Sequence, residues 1–132
     1  MDEVAEFLKK VNTYYLATVD GDQPHVRPMG TVNIFEDKLY IQTGSSKAMA
    51  RQMVANPKVE ICAFDMSTGR WLRITGKLIA DDRIEAKQSM LDAHPQLGDM
   101  YKADSPETMV LFFEDATAKF ESFMDEPYTV EF

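Results

Sequence analysis

Apolar residues in this chain recur with two periods. Near the start, Val4, Phe7, Leu8 and Val11 fall at i, i+3, i+4 and i+7, a spacing that puts one stripe of side chains on one face of a helix. Residues 3–11 are therefore predicted to form an amphipathic helix. From Thr13 the period shortens. Thr13–Val19 is β-branched and aromatic, and Asp20-Gly21-Asp22 behind it is a hairpin signal. Gln23–Phe35 alternates, with Val26, Val32 and Ile34 on one parity and His25, Arg27, Met29 and Asn33 on the other. It is predicted to be one long strand. Glu36-Asp37 turns the chain into a third strand, Lys38–Thr43. Strands joined by such short turns make an antiparallel meander, not a parallel sheet with crossover helices.

Further along, Met49/Met53 and Ala50/Val54 are i, i+4 pairs of a helix over Ala48–Ala55, which Asn56-Pro57 ends. Lys58–Phe64 and Arg70–Ala80 are strands around Ser67-Thr68-Gly69. The second carries Leu72, Ile74 and Leu78 on one face and Trp71, Arg73, Thr75 and Lys77 on the other. Asp82-x-x-Glu85 has the form of a capping box, with Asp82 as the cap of a helix that His94-Pro95 breaks. Gln96–Pro106 is a loop or short helix. Thr108–Glu114 and Thr117–Phe123 are predicted as two strands around Asp115-Ala116, and the tail Glu126–Phe132 is apolar enough to dock. The sum is a mainly β domain over residues 1–132, a six- to seven-stranded antiparallel barrel with peripheral helices.

Composition supports a folded core. Hydrophobic residues make up 45% of 132, with 8 Phe, 5 Tyr and 1 Trp. The nine Met are expected to fill core gaps, with a soft binding surface as the alternative. Cys62 is the only cysteine, which rules out an internal disulfide; its mid-strand position predicts a buried, inert thiol. The acidic start Met1-Asp2-Glu3-Val4 lacks an apolar run, so the expectation is a soluble, cytoplasmic protein. The net charge of −8 disfavours nucleic acid. Its distribution is uneven: Pro24–Lys77 holds eight basic and four acidic residues, the flanks six basic and eighteen acidic. A basic middle in an acidic chain suits a small anionic ligand.

The densest candidate chemistry is Thr43-Gly44-Ser45-Ser46-Lys47, between a strand and a helix. Free backbone N–H groups, hydroxyls and a lysine meet there, which are the parts of a phosphate site. It is neither a Walker A loop nor a Gly-x-Gly-x-x-Gly fingerprint, and a plain helix cap beside a solvated lysine is the alternative. Arg27-Pro28-Met29-Gly30 is the second constellation. Pro28 removes a ladder donor, so an edge, bulge or barrel opening is expected, and Gly30 permits close approach of a flat ligand. A simple edge with a solvent-facing Arg27 is the other reading. Trp71 and Arg73 suit an aromatic ligand or a subunit interface, against Trp71 packing beneath the helices. His25 and His94 lack metal-ligand spacing, no acid–base pair stands out, and no catalytic residue can be named. The residues alone reach a small phosphate-bearing, aromatic ligand.

The order of these motifs resembles the pyridoxamine 5′-phosphate oxidase-like FMN-binding split-barrel family. The likeness rests on Tyr15-Leu16-Ala17-Thr18, Pro24–Met29, Leu39–Thr43, Ser46-Lys47-Ala48, Asn56–Val59, Trp71–Gly76 and Asp125-Glu126-Pro127. It implies a split barrel and FMN held between the subunits of a homodimer. By that likeness Arg27, Pro28, Met29 and Gly30 line the isoalloxazine, Thr43 sits near the ring or ribityl chain, and Ser46 and Lys47 hold the phosphate. Many relatives have Arg before the Lys; Ser46 stands there here, with Arg51 as a candidate helper. Trp71 occupies a position where relatives touch the flavin with Gln. Pyridoxamine phosphate oxidases proper carry a C-terminal Arg-x-His substrate motif that Tyr128–Phe132 does not supply, so vitamin B6 oxidation is not expected. The implied function is an FMN-dependent oxidoreductase for a small organic substrate, with NAD(P)H as candidate donor. A non-catalytic flavin-binding module, or the same fold with haem or a deazaflavin, are the alternatives.

Overall fold

The computed structural model describes residues 1–132. Helix α1 (Asp2–Val11) leads into β1 (Tyr14–Asp20), β2 (Gln23–Met29), β3 (Asn33–Phe35) and β4 (Lys38–Gly44). Then come α2 (Ala48–Ala55), β5 (Lys58–Asp65), β6 (Arg70–Asp81) and α3 (Ile84–Ala93). A 3-10 turn (Pro95–Asp99), β7 (Thr108–Ser122) and β8 (Tyr128–Glu131) complete the chain. Every pairing is antiparallel. The order is β2-β1-β5-β6-β7-β4-β3, with β8 added to β7. β2 and β3 are the two ends of this path, so the sheet wraps a core and stays split between them: a split β-barrel with peripheral helices.

The alternating patterns account for the core. Leu16, Leu39, Ile41, Ile61, Leu72, Ile74 and Phe120 alternate along their strands, point to one side and are fully buried with Val4 and Leu8 of α1. Met49 and Met53 seat α2 on the same core. α3 packs on the opposite face of β4 and β7, where Ala86 and Met90 meet Tyr40 and Val110.

Several expectations change in the structure. Eight strands form instead of six or seven: Gln23–Phe35 is two strands and the tail pairs as β8, while the two strands predicted over 108–123 fuse into one. The break at Gly30-Thr31-Val32 lets the chain cross the split. Thr31 fastens that crossing: its hydroxyl accepts from the Gln42 N–H at 3.1 Å, and its carbonyl accepts from Tyr14 Oη at 2.6 Å. His94 Nε2 holds it from the other side, 2.9 Å from the Val32 carbonyl. Conversely, Thr108–Ser122 is one continuous strand; Asp115, at φ 51°, kinks it without ending it. Asp82 is not the α3 cap; the Oδ1 of Asp81 accepts the Arg83 N–H at 3.1 Å instead. Cys62 is exposed, since it alternates outward between Ile61 and Ala63. Burial against its strand neighbours still pushes its thiol pKa up. Of the methionines, Met49, Met53 and Met90 fill the core, but Met66, Met100 and Met124 are exposed.

No helix is long and apolar enough to cross a membrane.

Candidate functional site

The residues singled out from the sequence fall into three places, two of which α2 joins. The first is the turn from β4 to α2. β4 ends at Gly44 because its partner β7 begins there, with Gly44 opposite Thr108. The Ser45 N–H then donates to the Glu107 carbonyl at 2.9 Å, and Ser45 Oγ to the Pro106 carbonyl at 2.8 Å. These bonds tie the turn to the segment before β7. The Lys47 N–H closes on the Gly44 carbonyl at 3.1 Å, and Lys47 becomes the N-cap of α2. That helix has no acidic residue in its first turn, so its positive end is uncompensated from within.

Glu107 fills the gap. Its carboxylate accepts from Ser46 Oγ at 2.7 Å and from the Ser46 N–H at 3.2 Å; Ser45 Oγ, whose one proton is shared with the nearer Pro106 carbonyl, lies 3.2 Å away. The bonds to Ser46 above all, with the charge of Lys47 adding, hold the Glu107 carboxyl below its ordinary pKa. A Cβ on Gly44 would collide with Glu107 Oε1 and stand 3.1 Å from Tyr101 Oη, so only glycine leaves room for the carboxylate here. The Ser45–Lys47 turn is thus a working anion receptor with an internal carboxylate as its anion. Arg51 reaches back from α2 to the Ser46 carbonyl at 3.0 Å and brings a second cation to the turn. Beside it, Thr43 Oγ1 is enclosed and has no hydrogen-bond partner.

The second place is the inner face of β2. Arg27 lies opposite Leu16 on β1 and so points inward, half-buried. Its Nη1 donates to Thr18 Oγ1 at 2.7 Å and its Nη2 to Gln52 Oε1 at 2.9 Å. Thr18 Oγ1 in turn donates to Gln52 Oε1 at 2.6 Å. The edge reading of the sequence is right about the strand, for β2 pairs with β1 alone. Its solvent-facing Arg27 is not what forms. No carboxylate lies within ion-pair distance of the guanidinium, and burial lowers its pKa. An inward cation served only by neutral oxygens keeps its charge available to a ligand. Gln52 sits on α2, so Arg27 and the Ser45–Lys47 turn are linked through one short helix. A groove of about 540 Å³ runs along this side of α2, lined by Val19, Asp20, Ala48, Arg51 and Gln52. Met29 follows Arg27 and packs against the core, while Pro28 faces outward and Gly30 opens the crossing.

Trp71 is in neither place. Thr43 pairs with Met109 near the start of β7, and Trp71 with Glu121 near its end. Trp71 Nε1 donates to Glu121 at 2.6 Å, and its ring lies 5.1 Å from that of Phe123. Within one chain, Trp71 does not join the residues around α2. Thr18, Gln52 and Glu107 join these two clusters, and the sequence pattern does not assign them there. Thr18 falls in a motif that carries the resemblance but has no role assigned from it, and Gln52 carries no distinguishing signal. Glu107 is reachable only by pairing β4 with β7, which sets residue 107 beside Ser45.

Comparisons with known proteins bear on the family and the fold. A family profile described as pyridoxamine 5′-phosphate oxidase matches residues 1–122. Among solved structures, a NimC/NimA family protein from Clostridium acetobutylicum is 42% identical, covering 100% of this chain and 92% of that one with a TM-score of 0.96. A pyridoxamine 5′-phosphate oxidase-related, FMN-binding protein from Nostoc punctiforme has the same fold at 19% identity, with a TM-score of 0.67 over 99% of this chain and 94% of that one. General stress protein 26 from Bacillus anthracis matches at 16% identity and a TM-score of 0.74, over 98% of this chain and 99% of that one. No curated protein matches. With a profile match across nearly all of its length, the chain belongs to the pyridoxamine 5′-phosphate oxidase family.

Proposed function

We propose that this chain is an FMN-binding flavoprotein, a single split-barrel domain that acts as a homodimeric oxidoreductase on a small organic substrate. One observation carries the reading. The Ser46 hydroxyl and N–H, with the Ser45 hydroxyl and Lys47 beside them, converge on a carboxylate at the start of α2. The Nostoc relative, described as FMN-binding, supports the choice of ligand.

The residues present fit that cofactor. Ser45, Ser46 and Lys47, aided by Arg51, would hold the terminal phosphate. Thr43 Oγ1, enclosed and without a partner, would gain one from a ligand's hydroxyl or phosphate oxygen. Arg27 to Gly30 would flank the ring system, with the Arg27 guanidinium as a fixed positive charge. Bound FMN supplies the redox chemistry, accepting and passing on a hydride or electrons. The protein orients the ligand and excludes water. Through Arg27 it favours negative charge nearby, a bias preset by Thr18 and Gln52.

The homodimer would use the outward face of β2, β1, β5 and β6. The register sets Pro28, Tyr15, Cys62 and Arg73 in one row across it, and Phe64 beside Trp71 in the next. Val26 is 68% exposed, Tyr15 51% and Phe64 51%, an apolar surface of the kind a second copy covers. Trp71 would then act at that interface.

The test is to purify the protein, add FMN and measure flavin fluorescence and absorbance. Stoichiometric binding supports the reading. Bleaching by NAD(P)H and recovery on adding an acceptor would establish turnover and exclude a passive flavin store. A protein that takes up no FMN would refute it.

A further inference from the structure

We propose that Glu107 is a specificity-determining residue of this site: its carboxylate competes with a ligand's terminal phosphate for the Ser45–Lys47 turn. The inference rests on the reading of that turn as a phosphate receptor, and it concerns how strongly the phosphate counts.

Three features make Glu107 a competitor and not a wall. First, it uses the donors a phosphate needs, Ser46 Oγ at 2.7 Å and the Ser46 N–H at 3.2 Å, with Ser45 Oγ 3.2 Å away. Second, its backbone is fixed separately, by the Ser45 N–H on the Glu107 carbonyl at 2.9 Å. The side chain can therefore swing away without undoing the join between the turn and β7. Third, Gly44 leaves open the space the carboxylate enters, since any Cβ there would collide with Oε1. Glu107 has no cation of its own within ion-pair distance, so nothing but the turn holds its side chain.

A phosphate must therefore displace one anion before it is bound, and the two cannot share the donors because their charges repel. The phosphate's contribution to affinity is reduced by what Glu107 already gains there. A ligand with the same rings and no phosphate does not meet this competition. Glu107 thus narrows the preference for FMN over riboflavin while keeping the turn satisfied when empty of ligand.

The experiment compares the full chain with Glu107→Gln and Glu107→Ala. FMN and riboflavin are titrated by flavin fluorescence, and inorganic phosphate by its effect on melting temperature. Glu107→Gln keeps the shape of the side chain, and unliganded melting shows that both variants fold. The expected result is FMN binding tighter by about tenfold or more in Glu107→Ala, the scale of a charged hydrogen-bond set released to a competitor. Riboflavin affinity stays unchanged. Equal FMN affinity in all three proteins, or an equal gain for riboflavin, overturns the proposal and leaves the flavin reading standing. If no protein binds flavin, the flavin reading falls and phosphate decides: stabilisation of Glu107→Ala by phosphate beyond the parent supports the competition, and none overturns it.

Discussion

Replacing Arg27 by Met separates a ligand-serving arginine from a structural one. In the parent, Arg27 donates to Thr18 Oγ1 at 2.7 Å and to Gln52 Oε1 at 2.9 Å, with a weaker contact to the Leu16 carbonyl at 3.3 Å. Losing two charge-assisted bonds would by itself cost roughly 1.5–3 kcal/mol each. Two facts reduce that sum. Thr18 Oγ1 already donates to Gln52 Oε1 at 2.6 Å, so neither acceptor is left unsatisfied. The guanidinium is also half-buried with no carboxylate partner, so removing it relieves a desolvated charge. The net loss of stability should be about 1 kcal/mol or less. Ligand binding should fall much further, about 10- to 100-fold for FMN, as one charged contact is removed. Urea unfolding followed by Trp71 fluorescence gives the first quantity, and flavin titration the second. A variant destabilised by more than about 3 kcal/mol that still binds FMN like the parent would refute the reasoning, because Arg27 would then be structural.

Lys47→Ala should weaken FMN binding by about 1–3 kcal/mol, the scale of a lost charged hydrogen bond, with no change in riboflavin affinity; an unchanged FMN dissociation constant would remove Lys47 from the phosphate site. The Asp81 carboxyl is held down to about 2, chiefly by hydrogen bonds from Arg83 and also by Tyr40, against the cost of burial. A carboxyl depressed in the folded state stabilises fully above the ordinary carboxylate range and loses that contribution as pH falls from about 4 to 2. Asp81→Asn should therefore cost about 1–2 kcal/mol at pH 7 and flatten the acid limb of a stability–pH curve; an equally steep limb would contradict the assignment. Phe64→Glu places a charge on the proposed dimer face and should convert the dimer to monomer in sedimentation velocity, with Cys62 reacting faster with a thiol reagent. A variant that sediments like the parent would move the interface elsewhere.

Most of the fold is legible because local period and burial agree. The Val4–Val11 stripe gives α1, and the alternation of Leu72, Ile74 and Leu78 gives the buried face of β6. The departures share a cause: the pattern records which side a residue faces, not what the chain does next. Alternation runs unbroken through Gly30–Val32, yet the backbone there must leave β1 and cross to β4, so the strand divides. At Asp115 the reverse happens. A residue with turn chemistry takes a positive φ, and pairing with β6 on both sides carries the strand through. A mid-strand position predicts a buried thiol at Cys62, while its parity, outward between Ile61 and Ala63, is the better guide.

The site divides along the same line. Ser45, Ser46 and Lys47 are contiguous, so their shared chemistry is plain from the residues themselves. Glu107 belongs to the same cluster, but its place there depends on the pairing of β4 with β7, a contact spanning about half the chain. Long-range strand pairing is fixed by the whole barrel, not by either segment, so no local pattern brings a carboxylate to that turn. This difference shapes how the site should behave. A phosphate-binding turn read from sequence alone is a set of donors waiting for an anion, and its affinity would follow from counting them. The folded turn already has an anion, held by the Ser46 hydroxyl and N–H. On the proposed reading, its affinity for a phosphate would be a difference between two anions, and the barrel would set that difference by delivering Glu107 to Ser46.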